Sequence, residues 1–294
     1  MRPRYIRLYL ISLIIITFNS KALIKDCLDS IATQSYKDFE IIIVDNASKD
    51  STTAFIKTNY PNVILVKNQK NLGAAKARNQ GIEIAKGEWI LTLDGDVILD
   101  KCFLAEFSEA IEHLPQKVGI IQPKILCSDK LRIFSAGISM TWLKRFYDIG
   151  RGKPAGGTFN IPGYVFGACS AAAVYKRQLL EDVKDINGYF DERLFFLFED
   201  VDLSWRAQER GWRTLFCPSL VSYHYGNSSQ TPKEIRQYLC WRNRKLILKK
   251  HKQNKLRLFL ISVCYDLPRA IFILFTNSYA RHKIGNFRRI KDRD

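Results

Sequence analysis

Asp94 and Asp96 stand one residue apart around Gly95, where the apolar run Trp89-Ile90-Leu91-Thr92-Leu93 stops. A glycine between them allows a tight turn and adds no side chain that would obstruct it, so both carboxylates can leave toward one point. Two anionic oxygens at one point suit a hard divalent cation, which keeps some of its waters and takes its remaining ligands from a substrate diphosphate. For this turn in isolation, an acidic surface loop is the plainer alternative. A second acidic set, Glu199, Asp200 and Asp202, opens a helix. Carboxylates there gain about 0.3 to 1 kcal/mol each from the helix dipole, which is reason enough for their presence. The preceding Phe195-Phe196-Leu197-Phe198 adds an apolar approach, in which a partly desolvated carboxylate becomes a better base. Which of the adjacent Glu199 and Asp200 points inward is left open by the sequence.

Groups so far apart in the chain meet only if a scaffold delivers them to one edge. Ile11 to Thr17, Glu40 to Val44, Val63 to Val66 and Trp89 to Leu93 are short apolar, β-branched runs, which read as buried strands. Between them lie helical patterns: one after Asn19 or Ser20 as N-cap, with Leu23, Cys27, Leu28 and Ile31 at helical spacing, and another over Asn71 to Lys86. Strands alternating with helices predict an α/β fold built on a right-handed, mostly parallel sheet. Such sheets bind ligands at the carboxyl ends of their strands. Those ends carry Thr17 and Asn19, Asp45 and Asn46, and Asp94 and Asp96. The Asn71 helix is small-faced at Gly73, Ala74 and Ala77, suiting either a backbone close to a ligand or tight packing on the sheet, and its Arg78 is a candidate phosphate partner. Neither a Gly-x-Gly-x-x-Gly nor a Walker glycine loop occurs, so a dinucleotide cofactor and a P-loop are not indicated; a mononucleotide attached to something reactive is.

With 294 residues, 47% of them hydrophobic, the chain is globular. Its seven cysteines are scattered without metal-ligand spacing, which favours a reducing compartment. Met1 to Arg7 followed by Leu8 to Phe18 imitates a signal peptide, but no small-residue cleavage site follows and Ile11 onward serves better as the first strand. The net charge of +17 is concentrated at the end, where 17 basic residues from Lys233 to Arg293 face only Glu234, Asp266, Asp292 and Asp294. A basic tail has two usual partners, nucleic acid and an anionic membrane. The apolar stretches Leu256 to Tyr265 and Ala270 to Phe275 favour the membrane and argue against nucleic acid. Asp266, Pro268 and Arg269 interrupt them, so an element lying in the interface is preferred to a spanning helix. A terminal helical hairpin packed on the domain with a solvated basic face is the alternative.

Taken in order, Ile14-Ile15-Ile16-Thr17-Phe18-Asn19, Val44-Asp45-Asn46-Ala47-Ser48, Asn71-Leu72-Gly73-Ala74-Ala75 and Asp94-Gly95-Asp96 resemble the family 2 glycosyltransferases of GT-A fold, near the rhamnosyltransferase-like branch. Glu199 to Arg206 and Val221-Ser222-Tyr223-His224-Tyr225-Gly226 continue the likeness. The resemblance implies a GT-A domain over 1–230, with a nucleotide-sugar half at about 8–100 and an acceptor half at about 101–230, then a basic, partly apolar helical extension over 231–294. It further implies that Asp96, with Asp94 and His224, holds Mn2+ or Mg2+. Thr17, Asn19, Asp45, Asn46, Gly73, Arg78 and Asp94 would bind the nucleotide sugar, and Asp200 or Glu199 would be the base. Gly150 to Gly163 reads as a mobile loop and Tyr164 to Arg177 as a strand with a small-residue opening; Gly167, Asp202 and Arg206 would meet the acceptor. Arg242-Asn243-Arg244 would face phosphate or a lipid head group. The implied partners are a nucleoside-diphosphate sugar, a saccharide or lipid-linked saccharide, and an anionic membrane at the cytoplasmic face. Polyprenyl-phosphate glycosyl transfer, sugar nucleotidyl transfer and nucleic-acid binding are the rival readings.

Overall fold

A computed structural model describes residues 9–226, 231–251 and 254–283. The basic start of the chain and the tail residues Lys252, Arg288, Arg289, Lys291 and Arg293 lie outside the described residues. Strands β1 (Ile11–Thr17), β2 (Phe39–Asp45), β3 (Ile64–Lys67) and β4 (Trp89–Asp94) run parallel in the order β4-β1-β2-β3, connected by α1 (Ile24–Ala32), α2 (Thr52–Asn59) and α3 (Ala74–Ile84). The register sets Thr17 opposite Asp45 and Ile16 opposite Asp94, so the polar strand ends leave the sheet at one level.

The second half extends the same sheet. It supplies β5 (Val97–Leu99), α4 (Phe103–Glu112), β6 (Val118–Cys127), β7 (Ile133–Ser135), β8 (Ile138–Met140), β9 (Phe146–Asp148), β10 (Gly163–Val165), β11 (Ala172–Lys176), α5 (Arg177–Val183), α6 (Glu199–Glu209) and β12 (Arg213–His224). The full order is β10-β12-β6-β11-β4-β1-β2-β3, with β5 on β12 and β7 on β6. β11 runs antiparallel to both β4 and β6, while β12 is parallel to β6, giving a mixed, mostly parallel sheet. Apolar clusters fill both of its faces, one around Leu13, Leu91, Phe103 and Phe107, the other around Ile42, Ile90, Tyr175 and Phe190. Each such side chain stabilises by about 1.5 to 3 kcal/mol when fully buried.

Several local expectations are corrected. Neither Asn19 nor Ser20 caps α1 through its side chain. Asn19 adopts a left-handed φ of 52°, and its Oδ1 accepts from the Lys49 N–H at 2.8 Å, clipping the β1 loop to the β2 loop. The strand expected over 164–177 is two strands, β10 and β11, with a turn between them, and Arg177 already begins α5. Gly167, in that turn, is explained by packing: a Cβ there would lie 2.4 Å from Ser204 Oγ on α6.

The chain ends in α7 (Lys233–Lys250), α8 (Lys255–Ile261) and α9 (Leu267–Thr276), with a π-turn over Ser262–Asp266 making one helix of the last two. α7 brings Ile247 and Leu248 into an apolar cluster with Leu194, Val201 and Trp205, so it is continuous with the core under α6. The following helix folds back along α7: Arg244 pairs with Asp266 at 2.7 Å and Asn277 Nδ2 donates to the Glu234 carbonyl at 2.8 Å. Its other side exposes Leu256, Phe259, Val263, Leu267, Ile271 and Phe275.

Beneath α6 the fully buried Asp202 accepts from Arg206 at 2.8 Å, Lys250 at 2.9 Å and His251 at 3.2 Å, and His251 stacks on Trp205. Burial alone would raise the Asp202 pKa; the His251 hydrogen bond and the Arg206 and Lys250 charges outweigh it and hold the carboxyl well below its ordinary range. Removing one partner of such a buried cluster typically costs about 3 to 5 kcal/mol. Asp202→Ala is therefore expected to lower the melting temperature by on the order of 10 °C while leaving nucleotide binding by the folded protein intact, as calorimetry and titration would show.

Candidate active site

The carboxyl ends of β1 and β4, the start of α6 and one side of α7 enclose a cavity of about 630 Å³. Asp94 ends β4 and Asp96 follows the turn, while His224 is the last residue of β12, brought alongside by pairing with Val97. Ligand-type atoms of Asp94, Asp96 and His224 all lie within 4.8 Å of one another. His224 Nε2 is 3.1 Å from Asp96 Oδ1 and 3.9 Å from Asp94 Oδ2. Those separations are the ones that ligands about 2.0 to 2.2 Å from a common small cation adopt, and two carboxylates with an imidazole are a fitting donor set for Mn2+ or Mg2+. The Gly226 N–H holds the other Asp96 oxygen at 3.1 Å, and the Phe134 ring packs edgewise on His224 at 4.2 Å.

Arg78 is placed differently from the expectation. Its guanidinium is buried, donating to Glu199 at 2.6 Å, to Asp94 at 2.7 Å and to the Ser170 carbonyl at 3.2 Å. It is the strut between the two acidic motifs, not a free phosphate partner. The exposed guanidinium on the cavity wall belongs to Arg151, which lies 4.0 Å over the Phe134 ring and 3.6 Å from Asp148. The sequence shows Arg151 only as one residue of a glycine-rich loop; no pattern singles it out.

Glu199 and Asp200 separate in environment. Glu199 Oε1 is taken by Arg78 and its Oε2 is buried without a partner. Asp200 accepts only backbone N–H groups, from Val201 at 2.8 Å and Ser170 at 3.3 Å. Burial pushes its pKa up, and the neighbouring charges of Glu199 and Asp148 reinforce this against Arg78, taking it to about 8. Burial also raises the Glu199 and Asp94 carboxyls, with Arg78 opposing the shift in both. The apolar approach expected before these residues exists, but as strained backbone: Phe195, Leu197 and Phe198 have φ of 64°, 68° and 72°. Non-glycine residues held there cost on the order of 1 to 3 kcal/mol each, so the surroundings must hold them.

At the other end, Asp45 and Thr17 keep Asp45 Oδ2 and Thr17 Oγ1 buried without partners. Asn46 steadies the segment before α3, donating to the Gly73 carbonyl at 3.1 Å and accepting from Asn68 at 2.9 Å. Gly73 has φ +86°, and a Cβ there would be 2.4 Å from the Phe195 carbonyl, so its smallness serves the approach of the strained loop. Asn19 does not line the cavity, and neither do Asp45, Gly167, Asp202 and Arg206. Arg206 instead binds Asp202 and the carbonyls of Val183 and Tyr189. Asn243 and Arg244 are buried, Arg244 being spent on Asp266.

A mixed sheet with an acidic turn at the end of β4, faced by an acidic helix start, defines a GT-A glycosyltransferase fold, and comparison with solved structures supports it. Staphylococcus aureus TarS 1–349 in complex with UDP-GlcNAc matches with a TM-score of 0.58 at 20% identity, over 91% of this chain and 73% of that one. GalNAc-T7 with UDP, GalNAc and Mn2+ matches with a TM-score of 0.59 at 16% identity, over 89% and 57%. The model of glycosyl transferase family 2 matches residues 12–184, and the chain belongs to that family. Poly-beta-1,6-N-acetyl-D-glucosamine synthase of Staphylococcus aureus is 28% identical over 210 residues, 71% of this chain; the chain spans about half the length of that relative, 48%.

A carboxyl whose folded pKa is raised stabilises the fold fully only below its unfolded value, and that contribution is lost as pH rises through the folded pKa. For Asp200 the window runs from its ordinary 3.8 up to about 8. In EDTA, the melting temperature of Asp200→Asn relative to the wild type is expected to climb as pH is raised across this window; a pH-independent difference would contradict the assignment.

Proposed function

We propose that the chain is an inverting, divalent-cation-dependent glycosyltransferase that moves a sugar from a nucleoside-diphosphate sugar to a hydroxyl of a saccharide or lipid-linked saccharide, in assembly of a cell-surface polysaccharide or glycan. The observation that carries this reading is that one cavity holds both the Asp94, Asp96 and His224 cluster and Asp200, whose carboxyl is shifted to about 8. Asp94, Asp96 and His224 would hold a divalent cation, Mn2+ or Mg2+, which would supply charge neutralisation for the leaving diphosphate. Asp200 accepts the proton of the attacking hydroxyl, which is in line with the departing diphosphate, and the anomeric configuration inverts. Glu199, engaged by Arg78, is the second candidate for the base. Arg151 offers the cavity a guanidinium for phosphate oxygens. On the cavity wall, Thr17 Oγ1 is suited to a hydrogen bond from a ribose hydroxyl, with Asp45 behind it. Within the family, the segments 199–206 and 221–226 carry the likeness to the rhamnosyltransferase-like branch.

The test uses the full chain, a panel of UDP-, GDP- and dTDP-sugars, and either Mn2+ or Mg2+. Asp96→Ala is expected to lose the metal-dependent thermal shift given by the nucleotide. Asp200→Asn should keep that shift and lose about 10² to 10⁴ in transfer rate, the usual worth of a general base. Full turnover in both Asp200→Asn and Glu199→Gln would sink the base, and release of pyrophosphate would make the protein a nucleotidyltransferase. Transfer to a bare polyprenyl phosphate would select that acceptor over a saccharide.

The membrane partner rests on the last helix. Lys255–Thr276 is long and apolar enough to cross a membrane by length and composition. Yet it is fastened along α7 from Ile261 through the Arg244–Asp266 pair to Asn277, which supports lying on a bilayer with the Leu256, Phe259, Val263 and Phe275 side inward. All seven cysteines are unpaired, in keeping with the cytoplasmic face. Flotation with vesicles containing phosphatidylglycerol should carry the protein up, while Phe259→Glu with Phe275→Glu should leave it in the soluble fraction; flotation unchanged by both substitutions would remove this helix from the role.

A further inference from the structure

Three carbonyls of the left-handed segment ahead of α6 converge on one side-chain amide. Asn243, fully buried on α7, places its Nδ2 at 2.9 Å from the Leu194 carbonyl, 2.8 Å from that of Phe196 and 2.6 Å from that of Leu197. Its Oδ1 accepts from Arg242 Nε at 2.9 Å, which fixes which way the carboxamide faces. The Arg242 Nη2 in turn donates to the carbonyls of Arg193 and Leu194, each at 2.9 Å. The carbonyls gathered in this way face one another closely, and only a donor among them lets the backbone keep its turn. On the far side of the same segment the Phe195 carbonyl receives the Ala75 N–H at 3.2 Å, and the Phe198 carbonyl receives that of Asp202 at 3.1 Å. The segment is thus pinned between α3, α6 and α7, and the next residues after it are Glu199 and Asp200.

We propose that Asn243 is a positioning residue for the catalytic base, acting through the backbone of Leu194 to Leu197 to present Asp200 to the cavity; this rests on the reading of Asp200 as the base. The contact does not reach substrate. Its effect is on where α6 begins, and so on where the carboxylate of its second residue lies relative to the Asp94, Asp96 and His224 cluster. Small displacements of a reacting group cost rate steeply without a matching loss of affinity. The segment from Thr231 therefore has a part in the chemistry, although neither composition nor charge suggests one.

The experiment is a double-mutant cycle on the full chain, with the sugar nucleotide that the wild type turns over fastest and Mn2+. Asn243→Ala is expected to lower kcat at least tenfold while metal-dependent binding of UDP, GDP and dTDP stays within threefold of the wild type. In an Asp200→Glu background, whose base is already displaced, the same substitution should cost less than threefold, because two residues acting through one carboxylate are not additive. If Asn243→Ala does not fold, Asn243→Ser, which keeps one donor, is read in its place. An unchanged kcat, an equal fall of kcat and nucleotide affinity, or full additivity with Asp200→Glu would each overturn the proposal. Turnover retained by Asp200→Asn would overturn the base itself, a separate result from any of these.

Discussion

The Arg78 guanidinium is the constraint on which the rest of the site depends. It is the buried cation between the end of β4 and the start of α6, donating to Asp94 and Glu199 at once. The cavity would otherwise gather the carboxylates of Asp94, Asp96, Asp148, Glu199 and Asp200 with little to balance them. Burial disfavours the charge on Arg78 itself, and the carboxylates of Asp94 and Glu199 outweigh that and keep it charged. Each side therefore makes the other tolerable, and the two halves of the domain are locked by a fork whose geometry only arginine supplies. A buried pair of this kind is weak as a source of net stability, but it is costly to break, which suits it to fixing the relative position of two motifs.

What the sequence revealed and what it hid follow from the range of the forces involved. Ile11 to Thr17 and Trp89 to Leu93 are apolar but for Ser12, Thr17 and Thr92, because parallel strands are covered on both faces, so the half of the sheet around β1 and the edge where Thr17, Asp45 and Asp94 emerge were legible. β5 is only three residues long and carries no periodicity, yet through β12 it brings His224 to the acidic turn. His224 could be named only by resemblance, since a histidine between two tyrosines looks the same whether it packs or ligates. Arg78 was singled out, but its pairing was not legible, because a long side chain can turn toward solvent or toward a carboxylate 121 residues away, and local pattern does not choose. Asp202 and Arg206 share the failing in reverse: at helical spacing within an acidic motif they looked functional, whereas they pair with each other and with α7.

The end of the chain shows how composition can mark a segment and miss its work. Seventeen basic residues set the stretch from Lys233 apart and suggest an adhesive tail. Within it, however, Arg244, Lys250 and Arg242 are spent on Asp266, on Asp191 with Asp202, and on the carbonyls around Leu194. α7 in this way contributes cations and one amide to the half that ends in α6, and only the outer face of the following helix is left apolar and exposed. Charge counts alone cannot tell a cation facing lipid from one facing a buried carboxylate.

The two acidic motifs have opposite needs, and the fold meets them by different environments a few residues apart. Asp96, in the proposed role of metal ligand, offers carboxylate oxygens to a cation, and it has an imidazole and the Gly226 N–H beside it. Asp200, in the proposed role of base, must take a proton from a hydroxyl, and its apolar approach and two neighbouring carboxylates favour the protonated form and so raise its basicity. Asp94 sits on the boundary between them, 3.9 Å from His224 and 2.7 Å from Arg78. Arg78 also holds Glu199 at 2.6 Å, whereas Asp200 accepts from backbone N–H groups. The proposed assignment of base and ligand thus rests on a division of partners: the cation spent on Glu199 is one that does not pair with Asp200.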